Sequence, residues 1–461
     1  ANDFVLHYNM NVTEDIAGVV IESTGEEMQA YSNPFLTFYL LLAFVSSIAC
    51  IYLFSKRTHN PAHAKLGFIF AIFVMMVTIG DDGGTTDVDV GSGASLCPTY
   101  DVNDPAQVSI GRAGVTITGK GAGRTIVRSP TTRVKSTVAT TFLQRYSYVV
   151  EVKPGSLATL RDLTIDGRSN ATCTERYFGV RYHNATGNLE RVVVENVRGM
   201  GSSFSSSCTN IYAVGVTSEG SGGGSVQLTQ STVRNFQSVG VLASGSNSGV
   251  IVQNTIVRGA GPQNSLPQTG IRFTSGASGA ADRNNLFDLR FTGDPCKGVG
   301  TGLDFYRAGQ AFITSNVVVD ADRGLWLREN SSPQVAYDNR FIRNYLGIHS
   351  MQNGDGQVRI SKNALSELKR STAATVESCF AQSGDGIAVD DELDTVVIQN
   401  SIADSPRSAI ELGIGTENLD VQQNQSVRST KNDIEDQGTA NRLSLNRCQK
   451  SEPAGLCADT P

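Results

Sequence analysis

The chain repeats one short pattern nine times: a glycine or alanine, an aliphatic residue, any residue, then usually another apolar one. The openings are Gly179-Val180, Gly215-Val216, Gly240-Val241, Gly270-Ile271, Gly302-Leu303, Gly324-Leu325, Gly347-Ile348, Gly386-Ile387 and Ala409-Ile410. They lie 22 to 39 residues apart, with the shortest at 22 to 25, the period of a solenoid coil carrying loops of variable length. Solenoid coils contact only their neighbours, so 461 residues need not divide into the three or so domains that their number suggests. At about 4.8 Å per coil, some eleven coils stack into a rod of about 50 Å.

A second signal keeps phase with the first. Roughly 13 to 15 residues after most openings comes an asparagine shortly before a hydrophobic residue: Asn254, Asn285, Asn316, Asn339, Asn363, Asn400 and Asn424, with Ser231 and Asp162 in the equivalent place. Asparagines stacked in register hydrogen-bond to their own kind above and below, so such a ladder can occupy one inward corner of every coil. With these two signals the chain resembles the right-handed parallel β-helix proteins of the pectate-lyase-like superfamily over about residues 100 to 445. The resemblance implies an all-β solenoid of about eleven coils and, because one fold hosts many activities, no particular reaction.

Forty-seven glycines and 18% charged residues suit many tight turns joining short strands. A net charge of -6 leaves no basic footprint, which argues against nucleic acid as a partner. Of eight cysteines, Cys173 and Cys208 fall six and seven residues before successive openings, so they stack within disulfide reach, and Cys448 and Cys457 can close a small loop. Such bridges point to an oxidising compartment. Cys97, Cys296 and Cys379 have no obvious mates, and the histidines and cysteines show no metal-ligand spacing, so neither metal nor cofactor is expected.

The first eighty residues have a different chemistry. Pro34 to Phe54 is apolar and uncharged, long enough to span a bilayer core of about 30 Å. A second apolar run, Leu66 to Gly80, follows a turn holding Lys56, Arg57 and Lys65, whereas six acidic residues and no Lys or Arg precede the first run. The positive-inside rule puts the turn in the cytoplasm and the β-helix outside. The expected organisation is an extracytoplasmic segment 1–33, a transmembrane helical hairpin 34–80, an acidic Gly-rich linker 81–95, the β-helix 96–445 and a C-terminal tail 446–461. That places the protein, membrane-anchored, in the cell envelope or at the cell surface.

Strand alternation turns the repeat into a ruler. The aliphatic after each opening points inward and the next residue outward, giving Arg181, Thr217, Leu242, Arg272, Asp304, Trp326, His349, Ala388 and Glu411 in one row. Two residues on, Tyr306 and Arg328 share a second row. Arg272, Asp304, Tyr306, Trp326, Arg328 and His349 should therefore form one mid-rod patch. In the family that the chain resembles, acidic polysaccharides lie along this sheet. By position and chemistry, Arg272 and Trp326 are the candidate substrate-binding residues, and Asp304, Tyr306, Arg328 and His349 the candidate catalytic ones.

For a lyase, Arg272 or Arg328 would neutralise a uronate carboxylate while His349 or Tyr306 removes the adjacent proton. A hydrolase needs two carboxylates, for which Asp304 with Glu329 or Asp390 with Glu411 offer themselves. No aspartate motif of pectate lyases or polygalacturonases is present, and an Arg-Asp-Arg stripe is often plain cross-strand pairing. The leading expectation is therefore a structural or adhesive element binding a polysaccharide, another cell-surface polymer or an envelope protein. Behind it stand a polysaccharide lyase or glycoside hydrolase, and an accessory subunit of a larger membrane assembly. A groove over this sheet walled by the inserts 262–269, 292–301 and 365–385 would favour catalysis.

Overall fold

The computed structural model describes residues 86–89, 95–96, 108–111, 114–129, 136–137, 145–169, 175–199, 212–354, 358–370 and 383–457. Their strands stack into three sheets of 14, 13 and 12 strands, each coil giving one strand to each sheet in turn. Eleven complete coils run from Val108–Ile110 to Gln425–Val427 among the described residues, as the repeat requires. In the 14-stranded sheet we label β1 (Arg145–Val152), β2 (Glu175–His183), β3 (Tyr212–Glu219), β4 (Val239–Ser244), β5 (Thr269–Thr274), β6 (Thr301–Tyr306), β7 (Arg323–Arg328), β8 (Leu346–Met351), β9 (Ile387–Asp390), β10 (Ile410–Leu412) and β11 (Ile434–Asp436). All pair in parallel in that order.

The aliphatics after the openings form one buried column. Val180, Val216, Val241, Ile271, Leu303, Leu325, Ile348, Ile387 and Ile410 stand in register on β2 to β10, and every one is buried. The opening glycine is a packing requirement. A Cβ on Gly324 would sit 2.3 Å from the Phe341 ring and 2.5 Å from the Gly347 carbonyl oxygen, because the third sheet's inward side chains press against this corner. On each coil that neighbour is bulky, Val318 at Gly302 and Ile402 at Gly386. Ser426 follows Ile402 in that column, so the eleventh coil has room for an alanine at Ala409. One coil up from Phe273, Phe305 stacks on it within the core with ring centroids 4.9 Å apart.

The asparagine ladder is present, with its residues partly reassigned. Asn284, Asn316, Asn339, Asn363, Asn400, Asn424 and Asn446 each donate from or accept at the neighbouring coil's side chain, at 2.9 to 3.1 Å. Each amide nitrogen also reaches a buried backbone carbonyl, as Asn339 reaches Ile313. Asn285 and Asn254 are not rungs: both are exposed, and Asn284 and Thr255 turn inward instead. Asp162 is likewise a corner residue, with φ of 57°, and the buried Leu163 follows it. At this corner a residue with positive φ precedes the rung, and since Asn and Asp tolerate that conformation too, sequence spacing alone cannot separate the two positions.

A second, shorter ladder, which the sequence reading missed, runs from Asn330 to Asn353 and ends on the buried carboxylate of Glu392. Ser350 and Thr395 donate their hydroxyls to the same carboxylate at 2.5 Å each. The triplet Asp390-Asp391-Glu392 therefore resembles a solvated loop only at Asp391, since Glu392 is 1% exposed.

Beyond the coils, Ser451–Glu452 adds a strand to β11. The Cys448–Cys457 disulfide closes this end as expected, with the two Cα atoms 5.1 Å apart. Cys296 is also disulfide-bonded, which corrects the expectation that it lacks a mate. Cys173 and Cys208 lie outside the described residues, as do residues 34–80, where the transmembrane hairpin is expected. Among the described residues, no helix is long and apolar enough to cross a membrane.

Candidate functional site

The outward row of the first sheet follows the expected register residue for residue. Arg272 on β5, Asp304 on β6, Trp326 on β7, His349 on β8, Ala388 on β9 and Glu411 on β10 are consecutive partners, and Tyr306 and Arg328 pair in the row beside them. All six residues of the mid-rod patch are therefore brought together.

Their chemistry is mutual. Asp304 is fully buried and accepts from Arg272 through Nε at 2.8 Å and Nη2 at 2.6 Å. From the other side Arg328 donates to it through Nε at 3.3 Å and Nη2 at 3.2 Å. Arg328 also lies over the rings of Trp326 and Tyr306, at 3.6 and 4.3 Å from their centroids. Arg323, on the same strand, lies 3.9 Å from the Trp326 centroid. Two flat guanidinium groups so close to one ring fit only on opposite faces. Trp326 therefore offers a ligand its edge, not a stacking surface, and its buried Nε1–H has no hydrogen-bond partner among the described residues.

His349 is stacked parallel to Trp326 at 6.3 Å, and its Nε2 lies 2.9 Å from Asp390. Burial pushes the imidazole pKa down while the Asp390 carboxylate opposes it. The Nδ1 atom of this buried ring has no hydrogen-bond partner among the described residues. Of the carboxylate pairs considered, Glu329 is committed to Arg307 at 2.6 Å, away from Asp304. Glu411 stands beside Asp385, with Arg407 bridging the two at 3.2 and 2.9 Å. Burial, together with Glu411, raises the Asp385 pKa well above the carboxylate range. Asp385 is not among the residues that the sequence singles out. Its position just before an opening glycine, one coil below an outward glutamate, was the available signal.

A cleft of about 190 Å³ opens over β4 to β7, lined by Ser238, Val239, Thr269, Arg272, Thr301 and Trp326 and walled by Pro267, Gly298 and Val299. The wall comes from two of the inserts flagged by the sequence. Asp322 ties the second of them down, accepting from the backbone N–H of Phe291 at 2.9 Å and of Gly300 at 2.6 Å. Burial pushes the Asp322 carboxyl up to about 6 against those two bonds.

Residues 213–367 match the family model described as a right handed beta helix region. With the three parallel sheets, that decides the identification. The chain is a right-handed parallel β-helix protein. Among curated proteins, none matches this β-helix in sequence.

Several solved structures are similar to it. The catalytic unit of a GH87 alpha-1,3-glucanase from Streptomyces thermodiastaticus is 9% identical, covering 84% of this chain and 66% of that one, with a TM-score of 0.45. The A-module of the Azotobacter vinelandii mannuronan C-5 epimerase AlgE6 is 14% identical over 83% of this chain and 90% of that one, with a TM-score of 0.42. A tailspike protein mutant of E. coli bacteriophage HK620 is 12% identical over 81% and 62%, with a TM-score of 0.36. At such identities the likeness concerns the β-helix fold alone.

Proposed function

We propose that this β-helix binds a polysaccharide along the outward face of its first sheet, with one sugar ring seated between Arg272 and Trp326. The walled cleft carries this reading. Its volume equals about six waters at about 30 Å³ each, the space of a single ring. Its lining mixes Val239, Pro267 and Val299 with the hydroxyls of Thr269 and Thr301, the Arg272 guanidinium and the indole edge of Trp326. Apolar walls with a few convergent polar groups suit a ring that has CH faces and hydroxyl rims.

The rest of the row extends past the cleft on both sides, so a polymer has more to follow than one sugar. Residues 34–80 are proposed as the hairpin that tethers this rod to a membrane, with the coils on the outer side. The oxidised Cys448–Cys457 and Cys296 support an extracytoplasmic setting.

A second reading, that the protein also cleaves its polymer, is favoured by the Asp385–Glu411 pair. A carboxyl whose hold on its proton is strengthened by burial, set beside a second carboxyl group, suits general acid and base work.

The test uses the full chain in mild detergent, electrophoresed through gels containing dissolved polysaccharides. Retardation by at least one polymer is expected, and Trp326→Ala should weaken it about tenfold, about 1.4 kcal/mol. No retardation by any polymer would refute binding. New reducing ends released by the wild type and lost in Glu411→Gln would establish cleavage.

A further inference from the structure

We infer that the polymer bound on this face is a neutral glycan rather than a uronate chain. The inference rests on the proposed polysaccharide-binding role and narrows its ligand. The face is rich in cations, and among the described residues Arg181, Arg272, Arg328, Arg407 and Lys431 are each already answered by an acid of the protein. Arg272 and Arg328 converge on Asp304, which is fully buried, so a ligand carboxylate that drew either guanidinium away would strand a buried charge. Arg181 lies between Glu151 at 2.5 Å and Glu219 at 2.6 Å. Arg407 bridges Asp385 and Glu411, and Lys431 holds Glu435 at 2.7 Å.

Arg323, buried against the Trp326 ring, lies in the combined field of Asp304, Asp322 and Asp390. Past His349 the outward row continues through Ala388 to Glu411 and Glu435, so a polyanion tracking the rod would run onto carboxylates. What the cleft still offers is hydroxyl chemistry: Thr269, Thr301 and Ser238. Uncharged hydroxyls meet those groups without displacing an ion pair.

Asp304 acts here as a selectivity element, holding two guanidinium groups that would otherwise clamp carboxylates bidentately. The experiment compares the full chain on neutral glucans, mannans and xylans with polygalacturonate and alginate, at low and high salt. Retardation by a neutral polymer is expected, unchanged by salt because no charge is exchanged, with none by either uronate. In Asp304→Asn, uronate binding should appear and be abolished by salt, a gain that misfolding cannot imitate. If the wild type prefers a uronate, with affinity falling as salt rises, the inference is overturned while polysaccharide binding stands. Should no polymer of either class bind, the proposed function itself falls, and the two failures are thereby distinct.

Discussion

Glu392 should make this β-helix less stable as the pH rises from about 4.5 to about 7. Its carboxyl is 1% exposed and closes the short ladder beneath Asn353. Burial pushes its pKa from an ordinary 4.5 up to about 7, even though Ser350, Thr395 and Asn353 donate to it. The folded chain therefore holds this proton more tightly than the unfolded one. The group's stabilising contribution is complete below about pH 4.5, is lost as pH rises toward about 7, and is flat beyond. At about 1.4 kcal/mol per pH unit, the span amounts to about 3.5 kcal/mol.

Asp322 and Asp385, also raised by burial, act with the same sign. The contribution of Glu392 is thus isolated by comparison with Glu392→Gln, which keeps the size and one acceptor oxygen. Urea unfolding followed by far-ultraviolet circular dichroism at a series of pH values should show the variant gaining about 3 kcal/mol on the wild type between pH 4.5 and pH 8. Amide exchange in Val396–Ile398 would report the same trend locally. Identical pH slopes in the two proteins would refute the reasoning, because the carboxyl would then titrate alike in the folded and unfolded chains.

Two other substitutions probe the stacking of coils. Asn339→Ala removes the acceptor for both the backbone N–H and the side-chain amide of Asn316, each at 2.9 Å, and should cost about 3 kcal/mol, read as a lower urea midpoint. Gly324→Ala drives a methyl into the Phe341 ring and the Gly347 carbonyl and should cost about 2 kcal/mol or more, whereas Ala409→Gly should cost only about 1 kcal/mol; thermal melts that rank the pair the other way would contradict the corner packing.

The glycine-aliphatic openings were legible because a coil's first strand must present the same small residue where the third sheet presses in, and the same aliphatic where the core needs filling. That periodicity placed Arg272, Asp304, Trp326 and His349 in one row before any coordinates, since register in a parallel stack follows directly from the repeat. The ladder was legible to within one residue. At Asn254 and Asn285 the error arose because asparagine serves both as inward rung and as corner or surface residue, and composition cannot tell these roles apart. Asp385 and Glu392 carried no sign of burial in the sequence; only the stacking of neighbouring coils makes them buried acids.

By itself the sequence determined the coil period, the inward column and which side chains share the outward face, because each depends on alternation and spacing that any strand must obey. Only the tertiary structure decided what those outward side chains do to one another. It set Arg272 and Arg328 on Asp304, closed both faces of Trp326 with guanidinium groups, and raised a wall over Thr269 and Thr301. Those outcomes depend on rotamers and on inserts outside the repeat. A spacing rule brings residues within reach of each other, but burial and charge balance determine which contacts form.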